Sequence, residues 1–301
     1  MQRSIVTLVQ ESGPLTGAEI LAALGGDTFA LWRDSRSAPA LDVRRVGRRY
    51  VRLDRRVDGY ARLSPSIQRE FLTYTVVGLA SDPAPIDRRV EQIEKHIAAV
   101  SRRKLELATS IMRDVIEPFA TEAGPELRCC VLVAGDIVYG MAHEVGRPER
   151  STGAMVNGSD LDIVVIVNDE APAELITQLD GAIHKKKHRY LNSPVFREEI
   201  DYVVKRFATV REQAQFDTFK RMVACKILDE AVLLHGSAEL FEAAKALLAE
   251  QGVVDRLREL ERAAIGDREE REQYLLTADL DELRGDDLLL FHTDDESEEF
   301  E

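Results

Sequence analysis

Residues 158–167 read Gly158-Ser159-Asp160-Leu161-Asp162-Ile163-Val164-Val165-Ile166-Val167. Leu161 to Val167 is apolar and rich in β-branched side chains, which predicts a buried strand. Residues i and i+2 of a strand point to the same side, so Asp160 and Asp162 present two carboxylates together. Such a pair is unfavourable unless cations lie beside it. A hard divalent ion, which prefers carboxylate and phosphate oxygens, is the natural partner. Two-metal phosphoryl transfer needs such carboxylates on one rigid face, with a third from a neighbouring strand. Glu199-Ile200-Asp201-Tyr202-Val203-Val204 supplies that strand, expected over 200–205. Asp201 is its candidate ligand, and Glu199, on the same alternation face, is the reserve.

Upstream, Cys129 to Ala134 predicts another buried strand. It runs into Ala134-Gly135-Asp136-Ile137-Val138-Tyr139-Gly140, a glycine turn opening a helix. Backbone N–H groups at such a turn can hold a triphosphate. Asp136 is read there as a helix N-cap.

Together, Gly135-Asp136, Gly140, Ser159-Asp160-Leu161-Asp162 and Asp201 resemble the motifs of the polymerase-β-type nucleotidyltransferases, in particular the antibiotic-modifying branch. That family carries a Gly-Ser pair after its first strand, a Gly four or five residues on, and Ser-Asp-x-Asp on its second strand. The stretch Ile227 to Gly236 also resembles the helices that follow the family's catalytic sheet. The resemblance covers roughly residues 100 to 250. It implies a mixed sheet flanked by helices, two Mg²⁺ ions on Asp160, Asp162 and Asp201, and a nucleoside triphosphate as substrate. Gly135, Asp136, Ser159, Lys220 and Lys226 are the candidate nucleotide-binding residues. Asp201 is implied to activate an acceptor hydroxyl on RNA, protein or a small molecule, as general base or through the metal, with pyrophosphate as the second product. Two features depart from the pattern. Asp136 stands where the family has Ser, and Met141 to Asn157, with His143, Arg147 and Arg150, is longer than the family norm. That segment is expected as a loop over the site, a lid or part of the acceptor pocket.

The N-terminal 80 residues differ in kind. Residues 4 to 11 have helical character. Thr16 with Glu19 forms a capping box, Gly25-Gly26 ends that helix, and Asp27 caps the next, which carries Trp32 as a core residue. Two short helices about a glycine turn suggest a helix-turn-helix. Val43, Val46, Tyr50, Val51 and Leu53 then suggest a β-hairpin turning at Gly47, and Ser64-Pro65 starts a further helix with Pro at its first position. The pattern resembles a winged helix. Residues 1–80 hold 12 arginines and no lysine against 8 acidic residues. Arg44, Arg45, Arg48, Arg49 and Arg52, with Arg55 and Arg56 beyond, are candidates to contact DNA or RNA phosphates. The alternative is that this basic face docks the acidic tail or the catalytic domain.

The whole chain, 301 residues with net charge −14, is 45% hydrophobic and 31% charged, the balance of a folded α+β protein rather than of a disordered or fibrous one. No apolar run reaches a membrane span, and no secretory leader is recognisable. Three cysteines, two of them adjacent, suggest reduced core residues and a cytoplasmic location. The six histidines show no metal-ligand spacing, and Lys185-Lys186-Lys187-His188-Arg189 reads as a solvated helix end. The expected organisation is a winged helix-turn-helix domain at 1–80, a linker at Ser81 to Pro85, and a nucleotidyltransferase domain at 87–210. That domain opens on a helix over 87–119 closed by Pro118, and has a further helix from Pro172 to Tyr190. A helical region follows at 211–280, with helices at 211–235 and 238–263. The acidic tail at 281–301, disordered beyond Thr293, has Leu288 to Phe291 as a docking segment. The functional alternative to an active enzyme is a DNA-binding regulator whose nucleotidyltransferase-like domain only senses nucleotide.

Overall fold

The computed structural model describes residues 4–123, 127–149, 152–279, 283, 285–288 and 291–292. The described residues make a mixed α+β fold with several small sheets. They divide into two compact units. One comprises the residues up to His96 together with those from Leu260 onward, and the other is Ile97–Glu259.

In the first unit, helices α1 (Ile5–Ser12), α2 (Gly17–Leu24) and α3 (Thr28–Ser37) surround the short strand β1 (Leu15–Thr16). Ser4 caps α1, and the Thr16–Glu19 capping box forms as the sequence predicts. Asp27 accepts the Ala30 N–H at the start of α3. Strands β2 (Leu41–Arg45), β3 (Tyr50–Leu53) and β4 (Ala61–Ser64), helix α4 (Ile67–Thr73) and strand β5 (Thr75–Leu79) follow. Here the strand pairing differs from expectation. Gly47 does not close a hairpin. β2 pairs antiparallel with β5, which also holds β1, and the hairpin is β3–β4. The β-branched run Thr75-Val76-Val77, almost fully buried, is the partner that draws β2 away. Pro65 lies outside α4, whose N-cap is Ser66. Ile5, Ile20, Phe29, Trp32, Phe71 and Val77 share one apolar core. Phe291 is buried in it, with its ring 5.2 Å from Phe29 and 5.4 Å from Trp32. The expected docking segment is thus seen at Leu288 and Phe291, while Leu289, Leu290 and residues 293–301 lie outside the described residues.

Helix α5 (Pro83–Ala123) starts inside the stretch read as a linker and continues through Pro118, which therefore does not close it. The second unit then builds β6 (Cys129–Ala134), α6 (Asp136–Tyr139), β7 (Gly146–Pro148), β8 (Met155–Asn157), β9 (Leu161–Val167), α7 (Ala173–Leu191) and β10 (Ile200–Arg206). Helices α8 (Phe207–Gln213) and α9 (Phe219–Glu230), strand β11 (Val232–Gly236) and helix α10 (Ala238–Glu250) complete it. The long α11 (Val253–Thr277) crosses the division between units, and the short α12 (Gly285–Leu288) belongs to the first. The expected helix at 211–235 is therefore two helices and a strand. Val232 to Leu234 fits a helical stripe and a strand equally well, and pairing with β6 decides the matter.

The sheet order is β10-β9-β6-β11. β9 and β10 run parallel, joined by the crossover helix α7, and β6 runs antiparallel to both β9 and β11. Ile163, Val165 and Val167 pack with Val131 and Val133 against α5 (Ile111, Met112, Val115) and α7 (Leu179, Ile183). Every residue of β9 is buried, as its unbroken apolar run requires. The other sheet face carries Val164 and Ile166, and Asp162 shares their alternation.

Candidate metal centre

The strand register assembles the site. Asp201 of β10 lies directly across from Asp162 of β9, and Asp160 immediately precedes β9. Directly paired residues project to the same face. Asp160, Asp162 and Asp201 each offer a carboxylate oxygen, and these atoms lie within 4.8 Å of one another. Asp162 is 8% exposed, and Asp160 and Asp201 are half-buried. Three hard oxygen donors on adjacent strands, reachable from solvent on one side, suit a divalent cation. The three sequence candidates for metal ligation are thus brought together.

Glycine at 135 is dictated by this cluster. Its φ is +72°, and a Cβ there would lie 2.0 Å from Asp162 Oδ2. Asp162 can sit where it does only because residue 135 has no side chain. The Gly135 N–H, expected to face a phosphate, donates instead to Glu230 Oε1 at 2.9 Å. Lys226 is 2% exposed and lies 2.7 Å from Glu230 Oε2, with its ammonium over the Tyr139 ring. It is not presented toward a nucleotide in this arrangement. Lys220 is exposed on α9. Glu230 is the residue that sequence reasoning missed here. The i,i+4 spacing from Lys226 to Glu230 was its only trace.

Asp136 is not the N-cap of α6, a position held by Gly135. Its carboxylate is buried and accepts from Ser159 Oγ at 2.7 Å, while Ser159 Oγ accepts the His143 N–H at 3.2 Å. Asp136 and Ser159 therefore lock the glycine turn to the segment entering β9. The departure from the family's Ser is a structural tie beneath the site.

Two cations already touch the carboxylates. Lys187 of α7 donates to Asp201 Oδ1 at 2.8 Å. Arg147 of β7 lies 3.4 Å from Asp160 Oδ2 and 2.8 Å from Glu199 Oε2, and its Nε donates to the Gly158 carbonyl. Glu199, the reserve ligand, is buried, and burial pushes its carboxyl up to about 7 against the pull of Arg147. Beside it, burial raises Glu198, although Lys104 pairs with it at 2.6 Å. The sequence predicts Lys187 within a solvated helix end, and the α7 crossover instead brings it to Asp201. Within the insert, Gly146–Pro148 and Met155–Asn157 pair antiparallel as β7 and β8. Arg150 lies outside the described residues.

The thiols are not part of this chemistry. Burial drives Cys129 up to about 11, and Cys130 and Cys225 to about 12, so all three stay protonated and inert.

The arginine segment of the first unit is turned largely inward. Arg49 donates twice to Glu70, at 2.6 and 2.7 Å, and once to Glu272 at 2.5 Å. Arg52 is 5% exposed. Arg49 is therefore withdrawn from any phosphate-binding face by its carboxylate partners, and Arg52 by the burial of strand β3 along its length. Arg44 pairs with Asp42 and Asp87. Arg45 and Arg48 remain exposed. Among the described residues no helix is long and apolar enough to cross a membrane. Comparison with protein-family models, curated proteins and solved structures gives no match to this chain.

Proposed function

We propose that the second unit is a Mg²⁺-dependent nucleotidyltransferase of the polymerase-β type. It moves a nucleoside monophosphate from a triphosphate to an acceptor hydroxyl. The observation that carries this reading is the pairing of Asp201 with Asp162 beside Asp160, with ligand oxygens within 4.8 Å. Asp160, Asp162 and Asp201 would hold the ions, which when bound supply charge neutralisation at the reacting phosphate. Gly135 keeps Asp162 in place, and the Asp136–Ser159 bond fixes the approach to the strand. Asp201, whose Oδ1 accepts from Lys187, would activate the acceptor hydroxyl as general base or through the metal it helps to hold. Transfer of label from a nucleoside triphosphate to RNA, protein or a small acceptor, lost in Asp160→Ala and Asp162→Ala, tests this. A folded protein that transfers nothing to any acceptor class ends it.

A second reading keeps the same fold and drops turnover. Glu230 occupies the Gly135 N–H, and Arg45 and Arg48 stand exposed on the first unit, which we read as a winged helix. The first speaks against turnover and the second for duplex contact, and the reading they suit is a DNA-binding regulator with an inactive nucleotidyltransferase-like domain. Its signature is salt-sensitive duplex binding that fails in an Arg45→Gln/Arg48→Gln variant.

A further inference from the structure

The β7–β8 hairpin brings a cation to the carboxylates, and this inference rests on the metal-centre reading above. Arg147 is paired across the hairpin with Val156, which is 2% exposed, so both project inward. The guanidinium reaches Asp160 and Glu199 together, and its Nε is fixed on Gly158 O at 3.0 Å. Gly158 is itself held close. Its φ is +68°, and a Cβ there would fall 1.8 Å from the His143 carbonyl oxygen. Thus the backbone that carries Asp160 into place is the same backbone that Arg147 grips. Other ties hold the two strands, among them Lys104 Nζ, which donates to Asn157 O at 2.8 Å. Asn157 N–H donates to Arg197 O at 2.9 Å, and the Asn157 side chain donates to Phe196 O at 2.8 Å. At the far end, Glu149 N–H donates to Ala154 O at 2.7 Å.

Electrostatics gives this arrangement a consequence. Asp160, Asp162, Asp201 and Glu199 cluster at the ends of two strands, and like charges at this spacing need compensation. Arg147 and Lys187 provide part of it from the chain itself. A divalent cation entering among the same oxygens brings two positive charges to the place where one guanidinium already sits. Both cannot keep Asp160 and Glu199 without mutual repulsion. The Arg147 side chain is one-third exposed, so solvent is open to it when it leaves.

We propose that Arg147 is a tethered counter-ion. It neutralises the carboxylates of the ion-free protein, and a divalent cation displaces it, so that loading of the centre and seating of the β7–β8 hairpin are linked. Arg147 thereby acts on the ion-free centre, through Asp160 and Gly158.

The test uses the full chain without nucleotide or acceptor, so transfer activity plays no part in it. Hydrogen exchange at Glu149 and Asn157 is followed with and without saturating Mg²⁺. Mn²⁺ affinity is measured by electron paramagnetic resonance in wild type, Arg147→Gln and Arg147→Lys. A partly exposed ion pair changes an equilibrium by up to about ten-fold. We expect Mg²⁺ to speed exchange at those amides in wild type. We expect Arg147→Gln to bind Mn²⁺ up to about ten-fold more tightly, and Arg147→Lys to stay near wild type. Equal protection with and without Mg²⁺, or unchanged or weaker binding by Arg147→Gln, overturns the inference and leaves the metal centre standing. Absence of Mn²⁺ binding in wild type and Arg147→Gln alike overturns both. If Arg147→Gln fails to fold, the wild-type exchange result decides by itself.

Discussion

Two networks of charge, one in each unit, look similar on paper and differ in balance. In the first unit Arg49 and Arg268 meet Glu70 and Glu272, two cations against two carboxylates. Arg268 also donates to the Pro65 carbonyl at 2.9 Å. Glu70 and Arg268 are buried and Arg49 and Glu272 half-buried; they are largely satisfied by one another and tie the residue entering β3 to α4 and α11. In the second unit Asp160, Asp162, Asp201 and the partly protonated Glu199 gather where, among the described contacts, Arg147 and Lys187 are the cations that meet Asp160, Glu199 and Asp201, so that carboxylates predominate. A balanced buried network is complete as it stands and serves the fold. An unbalanced one is stable only with something more, and carboxylate excess asks for a cation. Location in the fold agrees. The balanced set lies within packed elements, while the unbalanced set lies at the amino ends of β9 and β10, where Asp160 and Asp201 are partly open to solvent.

The comparison is sharpest where one carboxylate is removed from each network. Asp162→Asn should lower transfer by on the order of 10³-fold or more, since the ligand acts in the transition state. Its melting temperature should hold or rise, because repulsion within the cluster is relieved. Glu70→Gln should do the reverse. Breaking one partner of a buried, hydrogen-bonded pair costs about 3 kcal/mol, read as a lowered midpoint in urea. Divalent-ion affinity should be unchanged. A Glu70 variant that loses metal binding but not stability would break the distinction.

A smaller effect tests the packing beneath the centre. Gly135→Ala places a methyl against Asp162 Oδ2 and forces a side chain into positive φ. We expect about 1–3 kcal/mol of destabilisation together with weaker Mn²⁺ binding, because Asp162 must move to make room. Loss of stability with wild-type metal affinity would mean that Asp162 is not the ligand.

Lys205, a buried cation of β10 outside both networks, gives a pH-dependent version. Burial pulls its ammonium down to about 8 from the ordinary value of 10.5. The folded protein therefore binds fewer protons than the unfolded chain between those two values. Stability should rise as pH increases through that window, and the full cost of the buried charge is present below it. Lys205→Met should gain about 1–3 kcal/mol at pH 7, offset in part by loss of the Gln213 hydrogen bond. The gain should shrink as pH approaches 10. Urea denaturation at pH 7 and 9.5 checks this, and a pH-independent difference would contradict it. Smallest of all, Arg48→Gln should flatten the salt dependence of any duplex binding by about one phosphate contact, whereas Arg52→Gln, buried, should not.

How much of this was legible in the sequence follows from how local each signal is. The strand Leu161–Val167 has the bounds that its apolar run predicts, because a strand buried on both faces needs nothing else to declare itself. The Thr16–Glu19 box and the Asp27 cap are equally local. Asp201 could be chosen because the alternation of 199–204 admits few candidates. Pairing was less legible. Residues 41–53 look like one hairpin until Thr75–Leu79 takes β2 as its partner. Val232–Gly236 shows its strand character only at the edge of β6. The partners of the charged groups were hidden for the same reason. Lys187 reaches Asp201 across the turn of the α7–β10 crossover, and Arg147 reaches Glu199 from an inserted hairpin. The inward turn of Arg49 depends on Glu272, more than two hundred residues away.

The account stands on the claim that Asp160, Asp162 and Asp201 form a divalent-cation centre. A crystal grown or soaked with Mn²⁺ and measured at the manganese absorption edge tests it most directly. The account predicts anomalous density in contact with carboxylate oxygens of all three residues, with the Arg147 guanidinium drawn off Asp160. Anomalous density elsewhere, or none at this cluster in a crystal where Arg147 still grips Asp160, would contradict it.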